Sequence, residues 1–267
     1  MRRATLTLVA AALTVAALTG CQATSNAGSA TPSGSAPSAS PTAPTGAVTV
    51  LAAASLKEAF TTIGAGFEAA NPGTKVTFSF AGSSALATQI TSGSPADVFA
   101  SASAKTMSTV VDAGAASSPV TFAKNVMEIA TPPGNPGKVT GVASLASPSV
   151  KVALCQPQVP CGATAQQVFT NAKVTVNPVT LEPDVKSVLS KVTLGEVDAG
   201  VVYVTDVKAA GATVTGVEIP ADVNASTSYP IAALTKAANP TTAAAFVGYV
   251  LSPAGQAVLT AAGFEPS

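Results

Sequence analysis

The chain contains no histidine, no tryptophan and, beyond Arg2 and Arg3, no arginine. Without histidine, the Ser-His-Asp and Cys-His catalytic arrangements are excluded and the commonest metal ligand is missing. After the two arginines, the chain has 11 lysines against 13 acidic residues, a net charge of −2. A weakly acidic surface without arginine argues against nucleic acid as a partner. These absences leave few of the ordinary hydrolase mechanisms open.

The first 21 residues predict export. Two arginines precede an apolar run over 4–17, and the letters LTGC follow, ending at Cys21. This is the order of a secretory signal: a positive region, an apolar region and a small-residue cleavage site. The ending resembles a lipobox, which implies cleavage before Cys21 and lipid on its sulfur; an ordinary signal peptide with an incidental cysteine is the alternative. We expect 1–20 to be a lipoprotein signal peptide and the protein to be extracytoplasmic, anchored to the cell membrane through Cys21.

A composition shift follows the cysteine. Residues 22–46 carry no charge and no large apolar side chain. Such a segment cannot bury enough apolar surface to offset the entropy of ordering, so we predict a flexible linker over 21–46. No stretch after the signal reaches the roughly 18 uninterrupted apolar residues of a membrane-spanning helix. The remaining residues, 47–267, have the length of one large domain or two small ones.

From Val48 onward, short apolar runs alternate with stretches of helical periodicity, which predicts an α/β fold. Ser55 and Glu58 have the spacing of a capping box, so Ser55 is expected to open the first helix. Two α/β units, the second inserted into the first, and one continuous doubly wound sheet are both compatible with this order of elements. Strands are predicted at 48–54, 75–80, 96–101, 122–131, 150–154, 174–179, 198–204 and 229–236. Helices are predicted at 55–70, 82–90, 104–114, 162–172, 182–193, 205–210, 239–252 and 252–264.

Four loops follow predicted strands and lead into helices. They contain Ser55, the sequence FAGSSAL over 80–86, CQPQVPCGAT over 155–164 and EPDVKSVL over 182–189. Ligands of open α/β sheets collect at the carboxyl ends of strands. Helix N-termini carry free N–H groups and about half a positive charge, so several that converge form an anion site without any cation. Each loop alone is also explained by ordinary capping and turn chemistry.

Several stretches over 47–267 carry a family resemblance. In order, they are AAASLKEAF, FAGSSALATQI, GSPADVFASASAKTM, VPCG, GVVY and SPAGQAVLTAAGF. Together they resemble the molybdate-binding proteins of bacterial ABC importers. The resemblance implies a two-lobed, type II periplasmic-binding-protein-like fold, in which two parallel-rich α/β lobes are joined by two crossing strands. We expect 47–124 plus 230–267 to form lobe 1 and 125–229 to form lobe 2.

The resemblance also implies an oxyanion site made of Ser55, Ser83, Cys161, Val185 and Tyr203. Three of these would donate from hydroxyl groups, whereas Cys161 and Val185 would donate from backbone N–H groups. All five would contact the oxygen atoms of the anion, and none would bond its central metal atom directly. At Cys161 the chain departs from the family, where a small apolar residue such as alanine often stands. The implied ligand is molybdate or tungstate, with no cofactor, and the implied partner is the permease of a membrane ABC importer; we expect a monomer.

The chemistry of the anions leaves some alternatives open. Molybdate and tungstate are fully deprotonated near neutral pH, so they need only donors, and sulfate or another tetrahedral oxyanion shares that requirement. Phosphate retains a proton and needs an acceptor carboxylate, for which Asp97 and Asp206 are candidates. A serine acyl-transfer enzyme would need Lys57 or Lys105 as its base, since histidine is absent. A purely structural surface lipoprotein is the third class; we expect a binding protein and no enzyme.

The two cysteines that remain after Cys21 predict a disulfide. Cys155 and Cys161 lie six residues apart in an exported, and therefore oxidising, context. The intervening QPQVP contains two prolines, a stiff turn that can bring the Cα atoms within the roughly 4.4–6.8 Å that a bridge requires. Two small buried residues with free thiols are the alternative.

Overall fold

A computed structural model describes residues 43–267, so the predicted signal peptide, Cys21 and most of the predicted linker lie outside the described residues. Within 43–267 there are nine strands: β1 (Gly46–Ala53), β2 (Thr74–Ala81), β3 (Val98–Ala100), β4 (Val120–Thr131), β5 (Val152–Cys155), β6 (Thr180–Glu182), β7 (Ala199–Tyr203), β8 (Thr215–Glu218) and β9 (Ser226–Ala233). The same residues form eight α-helices: α1 (Lys57–Ala70), α2 (Ser83–Thr91), α3 (Ala104–Asp112), α4 (Pro160–Ala172), α5 (Val185–Thr193), α6 (Val204–Ala210), α7 (Pro240–Leu251) and α8 (Pro253–Ala262).

The strands run in the order β2-β1-β3-β9-β4-β7-β5-β6, with β8 paired to β4. Strand β1 is parallel to β2 and β3, and β5 is parallel to β6 and β7. Strands β4 and β9 are antiparallel to their neighbours and connect these two parallel groups. Strand β4 pairs with β9 as far as Val126 and with β7 from Met127 onward. This is the predicted layout of two lobes joined by two crossing strands.

Each lobe has its own core. In lobe 1, β1–β3 pack with α1–α3, α7 and α8, and aromatic rings cluster between α1 and α7. In lobe 2, β4, β5, β7 and β8 pack with α4–α6 around a core rich in valine. The residue bounds predicted for the lobes, 47–124 plus 230–267 and 125–229, stay a prediction.

Two local predictions are wrong. Residues 174–179 form no strand; β6 begins at Thr180. Val174 and Val176 pack against the lobe 2 core, but their backbone pairs with no strand. The alternation of apolar and polar residues in this segment therefore reflects side-chain burial alone. Sequence analysis also missed β8, an edge strand that pairs only with β4 among the described strands.

The expected capping role of Ser55 is also wrong. A 3-10 turn over Ala54–Leu56 precedes α1, and Leu56 is the N-cap of that helix, with no side-chain cap. The hydroxyl of Ser55 is therefore available for a tertiary contact. Among residues 43–267, no single helix is long and apolar enough to cross a membrane; α7 and α8 meet that criterion only as a pair bent by 58°.

Candidate functional site

All five residues of the predicted oxyanion site line one cavity of about 20 Å³ between the lobes. Its other lining residues are Ala53, Ala54, Ala81, Gly82, Ala102, Pro160 and Asp184. The four loops meet there because each leads from the carboxyl end of a strand into a 3-10 turn or an α-helix. An organic ligand of drug size needs a pocket of about 300–1,000 Å³. The space suits a small ion instead.

Ser55 enters the cavity from the turn after β1. Its Oγ lies 2.9 Å from the hydroxyl oxygen of Tyr229 on the crossing strand β9, and both side chains are buried. If Tyr229 donates in this pair, the proton of Ser55 is free to donate to a ligand. Sequence analysis missed Tyr229, because only the fold brings β9 beside the turn after β1.

Ser83 is the first residue of α2. Its Oγ accepts a hydrogen bond of 3.0 Å from the backbone N–H of Ala102, which leaves the hydroxyl proton available. The N-cap of α2 is Gly82, so neither Ser83 nor Ser84 caps this helix. A Cβ atom at Gly82 would overlap the carbonyl oxygen of Pro183 in lobe 2, so this close approach of the lobes requires glycine.

Cys161 lies in the first turn of α4, where backbone N–H groups have no partner within the helix. The predicted disulfide is confirmed: Cys155 and Cys161 are bonded, with their Cα atoms 5.8 Å apart. It joins the end of β5 to the start of α4. Gly162 belongs to the same packing, because a Cβ there would overlap the carbonyl oxygen of Gln156. The disulfide and the glycine together fix the Cys161 N–H at the cavity.

Val185 is the first residue of α5, and its N–H is also free of any partner within the helix. Asp184 precedes it as the N-cap, accepting a hydrogen bond of 2.9 Å from the N–H of Ser187. This carboxylate lies beside the cavity but is engaged in capping. Among the described residues, no lysine lines the cavity. The positive potential there comes from helix N-termini.

Tyr203 ends β7 and is 1% exposed. Its hydroxyl makes no hydrogen bond of normal geometry among residues 43–267, although the neighbouring Thr164 and Tyr229 side chains act to lower its pKa. Burial raises the pKa of Tyr203 well above its ordinary value, so the hydroxyl stays protonated and can act as a donor. A buried, unpaired donor is costly unless a ligand satisfies it. This is the strongest single indication of a ligand in the cavity.

A cluster of charges lies behind the cavity. The Nζ of Lys186 is 2.8 Å from Glu58 Oε2 and 2.9 Å from Asp206 Oδ1. Asp206 is fully buried and accepts a hydrogen bond of 3.2 Å from the backbone N–H of Tyr203. Burial raises the pKa of Asp206, and Lys186 opposes that rise. Burial alone would lower the pKa of Lys186, but Asp206 and Glu58 together raise it.

The two carboxylates considered as phosphate acceptors do not line the cavity. Asp97 accepts hydrogen bonds from the backbone N–H groups of Thr49 and Asn239, at 2.7 and 3.2 Å. Asp206 is engaged by Lys186 and Tyr203 as described above. Neither Lys57 nor Lys105 lines the cavity, so neither lies beside its serines as a base. The arrangement offers hydroxyl and N–H donors to an anion, and the carboxylate that lines the cavity among the described residues, Asp184, caps α5.

Comparison with known proteins supports this chemistry. The family of bacterial extracellular solute-binding proteins matches residues 48–265. The molybdate-binding protein ModA of Mycobacterium tuberculosis is 42% identical over 254 residues, which cover 95% of this chain and 94% of that protein. These similarities confirm the resemblance found in the sequence and the expectation of a binding protein rather than an enzyme.

The fold has counterparts among solved structures. The periplasmic molybdate-binding protein of Azotobacter vinelandii aligns with a TM-score of 0.71 and 23% identity, covering 82% of this chain and 99% of that one. The sulfate-binding protein SubI of M. tuberculosis aligns with a TM-score of 0.70 and 18% identity, covering 82% and 86%. The predicted periplasmic-binding-protein-like fold is thereby confirmed. At these identities the two alignments describe the fold alone, which does not separate one oxyanion from another.

Proposed function

The chain belongs to the bacterial extracellular solute-binding protein family, and on that premise we propose that it captures molybdate, and also tungstate, for a membrane ABC importer. The observation that carries the proposal is the donor set at the cavity. Three hydroxyl groups and the first N–H groups of α4 and α5 meet there, without a lysine among the described lining residues. The 42% identity to a molybdate-binding relative supports the choice of ion.

The proposed ligands of the anion are Ser55, Ser83, Tyr203 and the backbone of Cys161 and Val185. A hydrogen bond to a charged group contributes about 1.5–3 kcal/mol, so five such bonds can offset the desolvation of a dianion. The five site residues are all buried, and the lower effective dielectric constant among buried groups strengthens each bond. Sulfate is the second candidate, because it has the same need for donors and because SubI shares the fold.

Titration calorimetry with molybdate, tungstate, sulfate and phosphate tests the proposal. Molybdate and tungstate should bind tightly, sulfate at least about tenfold more weakly (a difference of about 1.4 kcal/mol), and phosphate more weakly still. Sulfate binding as tight as that of molybdate would refute the molybdate assignment while leaving an oxyanion-binding protein. Absence of binding by all four ions would refute the site itself.

We place the mature protein outside the cytoplasm as a monomer, anchored by lipid on Cys21. The support for the anchor is the LTGC sequence and the uncharged segment after it. The wild-type protein should partition with membranes and carry the mass of a lipid modification. A Cys21→Ser variant should lose both properties, and an unmodified wild-type protein would contradict the anchor.

A further inference from the structure

Lys186 connects the two lobes directly beside the cavity. It follows Val185, one of the proposed anion ligands, at the start of α5 in lobe 2. Its ammonium group lies between Glu58 on α1 of lobe 1 and Asp206 on α6 of lobe 2, at 2.8 and 2.9 Å. The ion pair with Glu58 therefore crosses from one lobe to the other. A hydrogen bond of 2.7 Å from Ser84 Oγ to the carbonyl oxygen of Gln158 crosses in the same way.

The second ion pair neutralises a charge that would oppose anion binding. Asp206 is fully buried, and its carboxylate is bonded to the backbone N–H of Tyr203, whose hydroxyl faces the cavity. A buried carboxylate without a counter-charge is costly, and its field would repel a dianion placed nearby. Lys186 is the cation that pairs with Asp206 among the described residues. Its own side chain is 21% exposed, so water screens this pair only weakly.

Resting on the molybdate-binding function, we propose that Lys186 is a positioning residue for anion capture. It neutralises Asp206 behind Tyr203, and it ties α5, which carries the Val185 N–H, to α1 of the opposite lobe. The cross-lobe half of this arrangement forms only when the lobes are in contact. Loss of Lys186 should therefore act mainly on the release of the anion, since truncation of a buried ion pair changes the dissociation rate more than the association rate.

The test compares two lysines of the same helix. In Lys186→Met, release of molybdate, followed by stopped-flow tyrosine fluorescence, should be at least about tenfold faster, and association should change less than about threefold. Lys191→Met is the matched control. Lys191 also lies on α5, but it pairs with Glu196 within lobe 2, at 2.6 Å, so its loss should leave both rates within about twofold.

Three further variants separate the two ion pairs from a general effect on folding. Glu58→Gln removes only the cross-lobe pair and should speed release less than Lys186→Met does. Lys186→Met/Asp206→Asn also removes the buried carboxylate, while an amide oxygen can still accept from the Tyr203 N–H. It should recover part of the lost affinity and should fold even if Lys186→Met alone does not. Lys186→Arg, which keeps the charge, should release molybdate more slowly than Lys186→Met.

The outcomes distinguish this inference from the function on which it rests. If the wild-type protein binds molybdate and Lys186→Met releases it as slowly as the wild type, the positioning role is overturned and the function stands. Equal effects of Lys186→Met and Lys191→Met on the release rate would also overturn the positioning role. So would a Lys186→Met/Asp206→Asn variant that binds molybdate no more tightly than Lys186→Met does. A wild-type protein that binds none of the four oxyanions overturns both.

Discussion

Tyr203→Phe should change stability and binding in opposite directions. The hydroxyl of Tyr203 is buried without a hydrogen-bond partner among residues 43–267, and an unpaired buried polar group costs about 1–3 kcal/mol. Phenylalanine removes that group and keeps the ring, which packs edge-on against Tyr229 with the centroids 6.2 Å apart. The ligand-free variant should be at least as stable as the wild type. Any gain should raise its Tm by about 2–4 °C per kcal/mol for a domain of this size.

Molybdate binding by the same variant should weaken. The lost hydrogen bond goes to a charged oxygen and is worth about 1.5–3 kcal/mol, which corresponds to about a 10- to 150-fold higher Kd. Titration calorimetry measures the Kd. Thermal unfolding with and without molybdate measures the stability of both forms, and the rise in Tm caused by molybdate should shrink in the variant.

Tyr249→Phe provides the control. Tyr249 is on α7 and packs against Phe67 with the ring centroids 5.7 Å apart, and it does not line the cavity. Its loss of a hydroxyl should leave molybdate binding unchanged. The reasoning is refuted if Tyr203→Phe binds molybdate as tightly as the wild type, or if the ligand-free variant is less stable by more than about 1 kcal/mol.

Three other perturbations follow from the same cavity. Ser55→Ala and Ser83→Ala should each weaken molybdate binding by about 1.5–3 kcal/mol in calorimetry, and an unchanged Kd in both would place the site elsewhere. Gly82→Ala should weaken binding, since its Cβ would overlap the carbonyl oxygen of Pro183 in the opposite lobe; Gly248→Ala, with open space around it, should leave the Kd unchanged. Cys155→Ser/Cys161→Ser should lose about 2–2.5 kcal/mol of stability in denaturant unfolding and bind molybdate more weakly, because the Cys161 N–H must then be ordered on binding. Equal affinity would leave the disulfide with a purely structural role.

The convergence of the four loops could be foreseen because it depends on a general property of the fold, whereas the five site residues are what the family resemblance implies. Each loop follows the carboxyl end of a strand, and parallel strands present those ends on the same side, whereas Tyr203 is itself the last residue of β7. The role of Ser55 could not be read in the same way. Its spacing to Glu58 is a local signal for capping, but the contact with Tyr229, 174 residues away, belongs to the tertiary structure. A capping-box spacing can predict only a hydrogen bond within the first turn of a helix. The hydrogen bond that the Ser55 side chain makes is with Tyr229, which is distant in sequence.

The Lys186 cluster lay beyond sequence reasoning for a similar reason. The sequence indicates Asp206 only as a candidate acceptor for the proton of phosphate. Nothing in the spacing of Glu58, Lys186 and Asp206 indicates that they meet, because the meeting depends on contact between the lobes. A lysine next to a proposed anion ligand also suggests a direct contact with the anion, whereas the structure directs its charge toward two carboxylates.

We expect discrimination against hydrogen phosphate from the way in which the acceptors around the cavity are used. The oxygen of Ser83 accepts from the Ala102 N–H, and Asp184 accepts from the Ser187 N–H. Asp206, which lies behind the cavity, is engaged by Lys186 and by the Tyr203 N–H. An anion that retains a proton therefore finds few free acceptors around the cavity, and a proton left unbonded there would cost about 1–3 kcal/mol. Sulfate has no such proton, so its discrimination from molybdate must come from the size of the cavity, and the same donors would serve either ion.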